Sequence, residues 1–116
     1  MSLFLWRDHA LNKEEKLKAL GEEMKKGIEL IRDKKDKEGL EKLKPFAEIM
    51  RAGDAKQMRV FVNIGLAQLR LQDIEGFLQT YEEVQTITPS SEKEEQLKKE
   101  MEQWFHLLME RLEKED

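Results

Sequence analysis

The stretch FVNIGLAQLRLQDIEGFLQTYEEVQTITP, residues 61–89, decides how the rest of the chain is read. Apolar residues recur three and four apart through Phe61, Ile64, Ala67 and Leu71, then again through Ile74, Phe77, Leu78, Tyr81, Val84 and Ile87, the period of two helices. Between them Gln72 and Asp73 form a tight turn, and the Asp73 carboxylate can accept from the free N–H groups that open the next helix. Thr88 and Pro89 end it, because the residue before proline is pushed out of the helical region. The stretch therefore predicts a helix, a turn and a second helix.

Working outward, Gly53 is expected to take the left-handed conformation that stops a helix, with Asp54 and Gln57 capping the next one. That third helix of the chain, about fifteen residues long, carries Met58, Val60, Phe61, Val62, Ile64, Leu66, Ala67, Leu69 and Leu71. It is apolar nearly all round, as a central element would be. Upstream, Asn12 and Glu15 form a capping box for a first helix whose stripe is Leu17, Leu20, Met24, Ile28 and Ile31. Gly27 inside it is read as a place of close backbone packing, since glycine costs about 1 kcal/mol against alanine there. Residues 33–37 make a charged turn, and Asp36 is expected to cap a second helix with Leu40, Leu43, Phe46, Ala47 and Ile49 facing inward. Pro45 predicts a kink near residues 41–44, across which the stripe continues. Downstream, Ser91 and Glu94 form another capping box, opening a fifth helix with the stripe Leu97, Met101, Trp104, Phe105, Leu108, Met109 and Leu112. Its early Glu92, Glu94 and Glu95 suit the positive end of the helix dipole.

The 116 residues make one domain, and their 40% charged content with two prolines suits long solvated helices. No cysteine is present, which removes disulfides, thiolate nucleophiles and Cys-based zinc sites. Residues 1–60 hold 15 Lys/Arg against 12 Asp/Glu, and residues 61–116 hold 6 against 13. A basic surplus so diluted does not make the stripe that nucleic-acid binding needs, so no nucleic-acid partner is expected. No run reaches the roughly 18 apolar residues of a membrane span. Residues 3–6 are too short for a signal-peptide core of roughly 7–15 residues, so no membrane partner is expected and the cytoplasm is the expected location. The opening Met1, Ser2 and Leu3 are compatible with a cloning scar, in which case this is a piece of a longer protein.

The landmarks of residues 61–89 resemble one tetratricopeptide repeat, whose usual pattern is Trp-x2-Leu-Gly-x2-Tyr, then Ala-x3-Phe, then Pro, within about 34 residues. Phe61 takes the Trp place, Ile64 the Leu place, Gly65 the Gly place and Tyr81 the Phe place. Gln68 stands where an aromatic is usual and Phe77 where a small Ala is usual, so the two helices are expected to cross more widely. The best match covers residues 58–91. Gly27, Leu30, Gly39 and Leu43 lie 38 positions before Gly65, Gln68, Phe77 and Tyr81, a second and weaker copy in which Glu23 and Lys26 fill the Trp and Leu places. The resemblance implies an all-α fold: five antiparallel helices stacked as a short right-handed α-solenoid. Residues 1–12 would be an irregular lead, 13–53 the first helix pair, 54–89 the second, and 91–114 a capping helix. Gly65 is expected to let the second helix of its unit approach the first.

In this family the inner face of the first helix of a unit lines a groove for a peptide or partner helix. The matching residues here are Arg59, Val62, Asn63, Leu66, Leu69 and Arg70. An apolar floor with two guanidinium groups and an amide favours a segment bearing hydrophobic side chains and a carboxylate, which arginine can grip with two parallel hydrogen bonds. The competing reading is that Val62, Leu66 and Leu69 pack against the first helix as core. Some members hold the acidic C-terminus of chaperones through a Lys/Asn set; Asn63 matches one member, but Val62 and Leu66 stand in place of the others, so that function is not expected. Glu102, His106 and Glu110, four apart on the fifth helix, read as a solvated face rather than metal ligands, and His9 has no partner at ligand spacing.

The chain has no nucleophile elbow, no phosphate-cradling glycine loop and no His-Glu-x-x-His. No enzyme, metal or cofactor is expected. The expected function is a non-catalytic protein-interaction module that binds a polypeptide segment. The alternative is a self-association module, such as a homodimer, formed through the fifth helix or residues 3–6.

Overall fold

The computed structural model describes residues 13–114, apart from the side chain of Lys13. The expected lead at 1–12, including Asn12, His9 and residues 3–6, lies outside the described residues. Within them the chain is all-helical: α1 (Lys13–Arg32), α2 (Asp36–Ala52), α3 (Met58–Arg70), α4 (Ile74–Gln85) and α5 (Glu92–Lys114). None of these helices is long and apolar enough to cross a membrane.

One hydrophobic core joins all five. α3 sits at its centre and packs on each of the other four helices, as its all-round apolar character requires. Phe61 and Ala67 are fully buried, and Val60 and Val62 nearly so. α1 adds Ile28 and Ile31, α2 adds Leu43 and Ala47, α4 adds Phe77 and Val84, and α5 adds Met101 and Leu108. Burying each of the Val, Leu, Ile, Met and Phe side chains among them is worth roughly 1.5–3 kcal/mol against exposure.

The two helix pairs turn in the same way. In the first, Lys35 N–H donates to Leu30 O at 2.8 Å and Lys34 has φ 65°; in the second, Asp73 N–H donates to Gln68 O at 2.9 Å and Gln72 has φ 65°. These turns lie 38 positions apart, the same offset that relates Gly27 to Gly65. Gly27 and Gly39 meet where α1 crosses α2. A Cβ on Gly27 would stand 2.7 Å from Leu43 Cδ2, and one on Gly39 would stand 3.0 Å from the Gly27 carbonyl oxygen. The close approach read from Gly27 is therefore present.

Several local expectations need correction. Gly53 is not left-handed; it has φ −90°, and Asp54 carries the positive φ of 51°. Asp54 does not cap α3, which begins at Met58, later than expected, after an N-cap Gln57 that makes no side-chain bond. Asp36 does not cap α2 either: it is the first helical residue, and its carboxylate turns inward to an arginine of α3. Ile49, expected to face inward, is 68% exposed, and Met50 takes the buried place. α2 runs through Pro45 without a break, and its stripe continues from Leu43 to Ala47.

Gly65 also acts differently from the expectation. A Cβ there would clash first with the Met101 methyl group of α5, while Thr80 and Phe77 of α4 would lie at ordinary contact distances of 3.6 and 3.7 Å. The missing side chain at Gly65 thus makes room for the fifth helix more than for the fourth. Asp73 does cap α4, its Oδ1 accepting from Gly76 N–H at 3.0 Å. Ser91 Oγ accepts from Glu94 N–H at 3.1 Å, whereas Glu94 reaches back to Ser90 rather than to Ser91.

Candidate functional site

The six groove residues expected on α3 do not share one environment. Arg59 is exposed and Val62 is core at 2% exposure. Asn63 is half-buried, and its side-chain amide donates to Arg59 O at 2.8 Å. Leu66 and Leu69 are half-buried and pack against the core. Arg70 is held within the fold: Nη2 donates to Ile31 O at 2.7 Å and to Asp36 Oδ1 at 2.9 Å. One guanidinium nitrogen thereby satisfies the end of α1 and the start of α2 together. The structure thus supports the competing core reading for Val62, and it gives Arg70 a structural partner that its position in sequence did not reveal.

Leu69 and Arg70 do open onto a groove, and its second wall is α5. The space measures about 1090 Å³ and is open to solvent. Its apolar floor comes from Leu69, Ile74, Trp104, Leu107, Leu108 and Leu112. Arg70, Glu110, Arg111 and Lys114 supply the charged margin. Leu107, at 64% exposure, is the most exposed of the floor residues. None of Arg59, Val62, Asn63 or Leu66 lines this space.

α5 is placed by two contacts. Met101 fills the gap over Gly65, and Phe105 stacks on Tyr81 with ring centroids 4.2 Å apart and planes 1° from parallel. The helix therefore carries an apolar face wider than its core contacts consume. Phe105 goes to α4, Met101 and Leu108 go under α3, and Leu107 with Arg111 turns toward the groove. The α5 contribution was missed in the sequence because Leu107 lies beside the stripe that was read there. The signal was an eighth apolar residue on a face that needed seven.

The groups whose titration is shifted lie away from the groove. Arg51 bridges α2 to α4 through two bonds to Glu83, at 2.6 and 3.0 Å, and lies 5.2 Å from the centre of the Phe61 ring. The bond to Glu83 raises the Arg51 pKa. Glu23 is held below the usual carboxylate range by hydrogen bonds to Lys42 and then Lys26. Burial, assisted by Glu102, raises the Tyr81 phenol. Among the described residues no group of three or more His, Asp or Glu could hold a metal ion, and Glu102, His106 and Glu110 do not converge on one. This chain matches no protein-family model, no curated protein and no solved structure.

Proposed function

We infer that this chain is a non-catalytic helical-repeat domain that binds a polypeptide segment in the groove between α3 and α5. The groove itself carries the reading: an open apolar trough with an exposed leucine on its floor suits a chain of amino acids better than a small enclosed substrate. A stacked-repeat architecture with antiparallel pairs and a right-handed sense is part of the same proposal. Its support is the order of contacts. Each helix packs on the next, and α1, α3 and α5 also pack in series, while α2 and α4 are joined by the Arg51–Glu83 ion pair rather than by helix packing. In the first pair, contacts match later residues of α2 with earlier residues of α1, as in Gly39 with Ile31 and Leu43 with Gly27.

α5 fits the role of a cap. Its far flank, Glu95, Gln96, Lys99, Gln103, His106 and Glu113, is polar and exposed, the character that closes a stack rather than extends it. Self-association, expected through the fifth helix or residues 3–6, is a second reading for which α1 offers the support. The α1 stripe leaves the core toward its N-terminus, where Leu20 is 41% and Leu17 60% exposed.

The test of the first reading is affinity capture on immobilised domain, comparing the unaltered chain with Leu107→Asp and with Gln103→Glu on the polar flank. Retained polypeptides should be lost with Leu107→Asp and kept with Gln103→Glu. Identical retention by all three would remove the groove from the function. Light scattering over a concentration series tests the second reading, which a constant monomer mass would defeat.

A further inference from the structure

Resting on the peptide-binding reading, we propose that the groove selects acidic segments: a polypeptide with aliphatic or aromatic anchors and carboxylates beside them, read by the C-terminal half of α5. The charged margin argues for this. Acidic residues outnumber basic ones by 25 to 21 in the whole chain, yet among the described residues the groove lining inverts that balance, with Arg70, Arg111 and Lys114 against Glu110. Asp36 already offsets Arg70, so the cations left for a ligand are Arg111 and Lys114. Neither has an ion-pair partner among the described residues.

Their placement gives the ligand a direction. Trp104, Leu107 and Arg111 follow one another at three- and four-residue spacing on α5, so the apolar anchor and the cation occupy successive turns of one face. An aliphatic side chain seated on Trp104, Leu107 and Leu69 sets a neighbouring carboxylate near Arg111, which can take it with two parallel bonds. The selectivity thus belongs to α5, outside the stretch with the repeat-like landmarks.

The experiment uses the full chain carrying Trp6→Phe, which leaves Trp104 as the only tryptophan. Its fluorescence is followed with three short synthetic peptides of the same leucine spacing, in which the intervening residues are Glu, Gln or Lys. The Glu peptide should bind about tenfold tighter than the Lys peptide at low salt, the sum expected of two exposed charge contacts. High salt should erase the difference. Arg111→Gln with Lys114→Gln should bring the three affinities together. A Glu peptide with an amidated C-terminus should bind as well as one with a free carboxylate, because side-chain carboxylates are the ones read. Equal binding of all three peptides to the unaltered groove would overturn the acidic preference and leave peptide binding standing. A preference that survives the double substitution would overturn the assignment to Arg111 and Lys114. No binding by any peptide would overturn both readings.

Discussion

Gly39 and Gly21 should respond in opposite directions to the same substitution, although both are helix-interior glycines. Alanine is intrinsically better than glycine in a helix by about 1 kcal/mol. At Gly21 a new Cβ meets nothing within 4 Å. Gly21→Ala should therefore stabilise the fold by about 1 kcal/mol, which for a domain of this size corresponds to roughly 4 °C in melting temperature. At Gly39 the new Cβ overlaps the Ile31 side chain, which is fully buried, and stands 3.0 Å from the Gly27 carbonyl oxygen. Ile31 has no room to turn away, and the carbonyl belongs to a helix backbone. Overpacking of this kind costs about 1–3 kcal/mol, and contact with backbone places it at the upper end. After the helix gain is subtracted, Gly39→Ala should destabilise by about 2 kcal/mol, or roughly 8 °C. Gly65→Ala belongs between them, because the Met101 methyl it meets is the end of a flexible side chain. Urea denaturation followed by far-UV circular dichroism measures all three. A Gly39→Ala protein as stable as the parent would refute the close crossing of α1 and α2; a destabilised Gly21→Ala protein would refute the open environment assigned to that position.

Three further outcomes follow from the polar contacts. Arg70→Ala should cost about 1–3 kcal/mol, because it leaves the Asp36 carboxylate buried and the Ile31 carbonyl unpaired; Arg70→Met with Asp36→Leu should recover much of that loss in the same denaturation assay. Tyr81 is the only tyrosine, so absorbance titration of the folded protein reads it alone, and its midpoint should lie above the ordinary value near 10. Because the folded pKa is raised, its stabilising contribution is complete below the unfolded value and disappears as pH rises through the folded one. Tyr81→Phe should therefore flatten part of the alkaline loss of stability. Asp73→Ala should cost about 1 kcal/mol through loss of its cap, whereas Asp54→Gly should leave stability unchanged or slightly higher, since Asp54 occupies a left-handed position that glycine adopts freely and its ion pair to Lys56, at 3.9 Å, is solvent-exposed.

The helices and the turns between them were legible in the amino-acid order alone. Periodicity is a local property, and the runs around Ile28, Leu43, Phe61, Phe77 and Met101 each announce a face that must be buried. The caps were legible where one side chain reaches its own helix, as at Asp73 and Ser91. They were misread at Asp36, Gly53 and Asp54, where a second solution competed. Nothing near Asp36 in sequence shows that Arg70, 34 residues later, will approach its carboxylate and outweigh the cap.

The groove was half legible for the same reason. Leu69 and Arg70 came from the face of one helix, but the wall opposite them is α5, and its placement depends on Met101 entering the space above Gly65 and Phe105 stacking on Tyr81. That Leu107, Arg111 and Lys114 line the same groove as Leu69 follows from how the helices pack. Helical spacing fixes which residues share a face, whereas the partner of that face is chosen by packing between segments far apart in the chain.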